Sequence, residues 1–213
     1  MATERGFAEA GAPSSGTETT ESERPRRADA RRNRDRLVAA AREVFTEQGV
    51  AASMEAIARK AGVGVGTLYR HFPTRLDVVE AVYEDDVQEL ADAAQRAVST
   101  LEPGPAVESF FDAFLRYAST KKTLLTELRQ AWEKNPALRS RARETIDASF
   151  NLVIDRAKQA GVVRSDVDGS EVTQLVGPIC TNDSFSADQS KRLMGMILDG
   201  LRTTSSQSVP APV

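Results

Sequence analysis

The sequence predicts an all-α protein with an N-terminal three-helix helix-turn-helix domain and a C-terminal helical bundle. Three observations predict it. Residues 53–76 read S-M-E-A-I-A-R-K-A-G-V-G-V-G-T-L-Y-R-H-F-P-T-R-L, two short helical segments separated by a glycine turn. No stretch shows sustained period-two alternation bounded by turns, so strand signals are scarce. Positive charge is concentrated at one end: Arg24 to Arg36 holds seven arginines against Asp29 and Asp35, on a chain whose formal net charge is −3.

The elements follow in order. Residues 1–30 read as a disordered tail with a basic arm, the first part rich in Ala, Gly, Ser, Thr and Glu. A first helix follows with Leu37, Val38, Ala41, Val44 and Phe45 at helical spacing, and Gly49 is a candidate C-cap. Ser53 is a good N-cap for the second helix, with Glu55 in its first turn where the helix dipole favours negative charge. Gly62 falls where a helix end takes a left-handed residue. The third helix is expected from about Val65 to Phe72, with Leu68 and Phe72 facing inward. Pro73 stops it, and Thr74-Arg-Leu-Asp77 reads as a capping box opening a long fourth helix. A three-helix unit with a basic leading arm is the charge asymmetry of a nucleic-acid-binding head on a non-binding body.

R-D-R-L-V-A-A-A-R-E-V-F-T-E-Q-G, followed by the 53–76 segment, resembles the N-terminal domain of the TetR family of bacterial transcriptional regulators. The likeness covers roughly residues 31–90 and is dense at A-x-x-A-G-V, G-T-L-Y and H-F. It implies a homodimer with one DNA-reading domain per subunit, bound to a double-stranded operator. It also implies a C-terminal domain, residues 91–202, that dimerises and binds a small-molecule effector. Repression, with release by that effector, is likewise implied. On the same grounds, Ser53, Thr67, Tyr69, His71 and Arg75 match positions that meet phosphate. Two departures matter. Gly64 stands where the family often has Ser or Thr, and Val65 where it often has Lys or Arg. Base reading then falls to Arg70, Thr67 and apolar contact from Val65 beside Gly66, with phosphate contacts and DNA shape carrying more of the recognition. Arg31 and the arm are expected to supply much of the affinity.

The body is read as further helices. Residues 76–100 form a long one, L-E-P-G-P breaks it, and the next helix is unusually aromatic. Leu124, Leu125, Leu128 and Trp132 lie on another, Asn135-Pro136 opens the next, and Gly161 closes it. Two last helices lie near Glu171–Cys180 and Ala187–Leu201, the second opened by Ser186-x-x-Gln189. Phe110, Phe114, Tyr117, Leu128, Trp132 and Phe150 are candidates for an effector cavity suited to a lipophilic or amphipathic ligand; the competing reading of the same spacing is a filled core. Arg116, Glu127 and Arg129 are the nearest polar anchors. Leu175, Ile179, Leu193, Met196 and Ile197 are candidates for the dimer interface. Residues 203–213 read as a second disordered tail.

Other classes are disfavoured. G-V-G-V-G-T lacks a preceding strand and a surrounding βαβ unit, so it is no nucleotide fingerprint. Asp85-Asp86, Asp166 and Asp168 read as solvated residues, so no catalytic group or cofactor is expected. His71 is the chain's one histidine and cannot be half of a His-pair metal site. No apolar run approaches the roughly 20 residues of a membrane span. The N-terminus lacks an apolar signal core, and the single Cys180 fits a reducing cytoplasm. The remaining rival is a constitutive DNA-binding protein with no effector, whose body would have no cavity.

Overall fold

The computed structural model describes residues 23–182 and 184–203, and the expectations for the two tails beyond them lie outside the described residues. Within that range the chain forms nine α-helices and one 3-10 turn. They are α1 (Glu23–Gln48), the turn Gly49–Ala51, α2 (Met54–Ala61), α3 (Val65–His71), α4 (Arg75–Thr100), α5 (Pro103–Thr123), α6 (Leu125–Lys134), α7 (Pro136–Gln159), α8 (Gly169–Thr181) and α9 (Ala187–Leu201). The all-α expectation holds. One isolated antiparallel bridge, Val163 to Arg202, ties the loop after α7 to the end of α9, and the Thr203 amide donates to the Val162 carbonyl at 3.1 Å. Thr203, read from the sequence as the start of a tail, is thus tied to the loop after α7.

The head follows its capping chemistry. The Ser53 hydroxyl accepts from the Ala56 amide at 3.1 Å and opens α2. Gly62 ends α2 at φ +69°, a left-handed conformation that side chains with a Cβ resist, and the Val63 amide returns to the Ala58 carbonyl at 3.0 Å. Thr74 and Asp77 form the reciprocal capping box of α4. The first helix departs from expectation. It starts at Glu23 rather than after residue 30, so the described part of the basic arm is helix. Arginine and alanine are strong helix formers, and Arg32 pairs with Asp29 one turn earlier.

One continuous apolar core runs from head to body. Leu37, Phe45, Ile57, Leu68 and Val79 fill its head end and are fully buried. Helix α4 spans both parts, burying Val78 and Val82 in the head and Leu90, Ala94 and Ala97 in the body. In the body, Phe150 of α7 sits edge-on to Phe110, Phe111 and Phe114, with centroids at 4.9, 5.7 and 5.0 Å. Helix α8 crosses α7 so closely that a Cβ on Gly169 would stand 2.3 Å from the Asn151 amide nitrogen, so the crossing requires glycine. Asp168 and Glu171 cap α8 reciprocally, a box that the D-x-x-E spelling carried and the sequence reading passed over.

Candidate nucleic-acid interface and body cleft

Helix α3 is anchored by one residue and presents the rest. Leu68 is fully buried, and Phe72, which caps the helix, is 3% exposed. Val65 and Tyr69 are 37% and 44% exposed, although apolar and aromatic side chains normally go inward. Gly66 and Arg70 are exposed beside them, and Thr67 and His71 are half-buried. The α3 surface therefore combines an aliphatic tip, a phenol, a guanidinium and an open glycine stripe, since nothing lies within 4 Å of a Cβ built on Gly64 or Gly66. The Thr67 amide donates to the Gly64 carbonyl at 2.9 Å, leaving its hydroxyl as the group available to phosphate. Ser53 lies exposed at the start of α2, and Arg31 lies exposed on α1.

Several head arginines are engaged by the protein itself instead. Arg75 was expected to pair with phosphate. Its Nη1 donates to the Ala52 carbonyl, its Nη2 reaches Glu127 Oε1 at 3.2 Å, and its guanidinium lies 5.0 Å from the Phe45 ring centroid. It is a joint between the head and α6, held by the Ala52 carbonyl and Glu127. Arg36 Nη2 donates to the Ala61 carbonyl at 2.7 Å and closes the end of α2. Arg42 of α1 meets Asp85, Asp86 and Glu89 of α4 at 2.6, 2.5 and 2.9 Å. Burial pushes the Asp86 carboxyl up to about 6 despite Arg42 beside it. Of these three arginines, only Arg75 was expected at the nucleic-acid surface; a charge count over the head does not separate engaged cations from free ones.

The body cavity is also different from expectation. Phe110, Phe114, Phe150 and Leu128 are packing residues, buried to within 3% of full, and Phe150 stacks edge-on against the other two rings. Tyr117 borders a small cavity of about 120 Å³ between α4 and α5. Trp132 lines a larger cleft of about 540 Å³ together with Tyr83, Leu125, Ile146 and Arg129, and with Lys121, Arg139 and Arg143, which sequence reasoning missed. Their signal was weak, since cations on amphipathic helices usually face water. Of the expected polar anchors, Arg129 lines this cleft, Glu127 holds Arg75, and Arg116 lies elsewhere. Cys180 is buried and its thiol is pushed up to about 11 by that burial, as suits a packing residue.

The last two helices divide in the same way. Val172, Val176, Cys180, Met194 and Leu201 enter the core. Leu175 and Met196 stand 54% and 70% exposed, and Ile179, Leu193 and Ile197 are half-buried.

This arrangement defines a helix-turn-helix DNA-binding regulator with a helical second domain. The model described as "Bacterial regulatory proteins, tetR family" matches residues 37–82, and that described as "Transcriptional regulator SbtR-like, C-terminal domain" matches residues 102–203. A crystal structure of a TetR transcriptional regulator from Streptomyces coelicolor is 35% identical at a TM-score of 0.71, aligned over 81% of this chain and 99% of that one. A TetR transcription regulatory protein from Mycobacterium vanbaalenii is 34% identical at a TM-score of 0.67, over 84% of this chain and 100% of that one. The HTH-type transcriptional activator FasR of Mycolicibacterium smegmatis is 32% identical over 128 residues, 57% of each chain. The chain thus spans little more than half the length of that curated relative. It belongs to the TetR family of bacterial transcriptional regulators and is not an enzyme.

Proposed function

We propose that this chain is a cytoplasmic, homodimeric repressor that binds a palindromic operator through α3 and is released by a small molecule bound in its body. The carrying observation is the outward face of α3, where Val65, Tyr69 and Arg70 stand exposed on a helix fixed from below by Leu68. A helix so presented fits the major groove, with Arg70 the group suited to guanine, Val65 to a thymine methyl, and Tyr69, Ser53, Thr67 and His71 to phosphate. Leu175 and Met196 offer an exposed apolar face for a second subunit, joined at its edge by Ile179, Leu193 and Ile197. A two-fold pair would set its α3 helices against half-sites about one helical turn or somewhat more apart.

Helix α6 supplies the coupling. It carries Leu125, Arg129 and Trp132 into the cleft and Glu127 onto Arg75, the first residue of α4. A ligand that favours one position of α6 biases the head through that ion pair, provided it binds the two states unequally. Capturing genomic fragments on the purified full chain, then titrating them at moderate salt, tests the reading. A palindromic sequence preferred over random duplex supports it, and equal affinity for both overturns it. Activation is the second reading, favoured by the relative FasR, a transcriptional activator by name. Transcription from a promoter bearing the recovered site separates the two.

A further inference from the structure

We propose that the cleft between α4, α6, α7 and the end of α5 binds an organic anion, an acidic head group on a compact apolar body. Its lining holds four cations, Lys121, Arg129, Arg139 and Arg143, and no carboxylate. Arg143 alone of the four has an ion pair among the described residues, to Asp147 at 2.9 Å. The Lys121 ammonium lies 5.7 Å from the ring centroids of both Tyr117 and Trp132, and the Arg139 guanidinium lies 5.3 Å from the Trp132 ring. These ring contacts support the cations only weakly compared with a paired carboxylate. Burial and the neighbouring Arg139 and Arg143 charges lower the Lys121 pKa, so its charged form is held there at a cost.

A second observation points the same way. The indole Nε1 of Trp132 is buried and has no hydrogen-bond acceptor. Lys121, Arg129 and Arg139 meet in the cleft without a carboxylate, so the lining lacks an acceptor carrying negative charge. A carboxylate, sulfonate or phosphate supplies both. Leu125, Ile146 and the Tyr83 ring give the wall apolar surface for a carbon body behind the head group, and Ser140 and Thr181 complete the lining. The volume of about 540 Å³ falls within the roughly 300–1,000 Å³ of small-ligand sites. Of the lipophilic and amphipathic effectors expected from the sequence, this lining favours the amphipathic one, with an anionic head. The inference deepens the effector-controlled reading above and rests on it for its regulatory meaning, while the binding itself stands apart from DNA.

The test uses two fluorescent probes of one shape, anilinonaphthalene sulfonate and neutral N-phenylnaphthylamine, titrated into the full chain. The expected result is saturable binding of the sulfonate, roughly tenfold or more tighter than the neutral probe. Lys121→Met and, separately, the surface variant Arg139→Gln should each weaken sulfonate binding severalfold and leave the neutral probe unchanged. Thermal melts confirm that both variants fold. Competition by inorganic phosphate that displaces the sulfonate probe supports a site that reads the head group alone. Competition by butanoate but not phosphate supports a carboxylate site that also reads the carbon body. Equal affinity for the two probes overturns the proposal, as does unchanged sulfonate binding in both variants. Operator binding measured with and without the sulfonate probe is read separately. Lys121-dependent probe binding that leaves DNA affinity unchanged removes the effector role and keeps the anion site. Intact operator recognition without probe discrimination removes the anion site and keeps the regulator.

Discussion

The protein has two cationic regions, and they use positive charge in opposite ways. In the head, Arg36, Arg42 and Arg75 are held by a helix-end carbonyl, three carboxylates, and a carbonyl with Glu127. Only a subset, Arg31, Arg59 and Arg70 among them, stands exposed without an ion pair among the described residues. In the body cleft, Lys121, Arg129 and Arg139 converge with no carboxylate to meet them. Net charge along the chain therefore locates the DNA-binding end correctly but misjudges its strength. It does not locate the cleft: residues 121–143 carry seven Lys or Arg against Glu127 and Glu133, but a count along the chain does not say which of them fold toward one another. What matters for a ligand is charge left unpaired after folding, not charge counted along the chain.

The largest expected effects come from breaking each region separately. Leu68→Ala removes the one fully buried anchor of α3 and should destabilise the head by about 2–5 kcal/mol. Operator binding should collapse while the cleft still takes the anionic probe. Phe150→Ala should cost about 3–5 kcal/mol, because it empties the centre of the aromatic cluster. It should leave probe selectivity intact, since Phe150 does not line the cleft. Urea melts paired with the two binding assays check both. Loss of probe selectivity in Phe150→Ala would return that ring to the ligand site.

How far the sequence foretold each region has a physical cause. Capping boxes are local: Thr74 with Asp77, and Ser186 with Gln189, are spelled within four residues, and the boundaries they set for α4 and α9 are observed. The α3 face is equally local, since helical periodicity alone separates Leu68 from Tyr69 and Arg70. The cleft is not local. Lys121 lies in the last turn of α5, and Arg139 and Arg143 lie one turn apart on α7, so only the packing of three helices joins them to Trp132. Arg75 shows the same limit. Its position beside the motif invited a phosphate contact, and a carboxylate 52 residues later engages it instead.

Intermediate effects distinguish exposed from engaged arginines. Arg70→Ala should weaken operator binding by about 1–3 kcal/mol and relax preference at one base pair. Arg31→Ala should act more evenly across sequences and reduce the salt slope by roughly one unit. Filter-binding or fluorescence titrations over a salt series check both; a base-specific effect at Arg31 would reassign it. Glu127→Gln should change operator affinity little by itself, because the Ala52 carbonyl still holds Arg75. It should, however, reduce the effect of cleft ligand on DNA affinity. A double-mutant cycle of Arg75→Lys with Glu127→Gln reads that coupling, expected at about 0.5–2 kcal/mol.

The smallest effect lies at the seam between the regions, where α1 meets α4. The Asp86 carboxyl is buried, and the cost of burying its charge outweighs the attraction of Arg42 Nε at 2.5 Å, so it titrates at about 6. The unfolded chain titrates an aspartate near 3.9. The folded state thus holds this proton more tightly, and the stability it contributes is present at low pH and lost as pH rises through about 6. Asp86→Asn mimics the protonated form and removes that slope. Between pH 5 and pH 7 the wild type should lose about 1 kcal/mol relative to the variant, read from urea midpoints at the two pH values. Arg42 keeps Asp85 and Glu89, so the variant should still fold and bind operator. Parallel pH profiles for the two proteins would mean that Arg42 offsets the burial in full. The joint would then behave like the paired arginines of the head rather than the under-neutralised cations of the cleft.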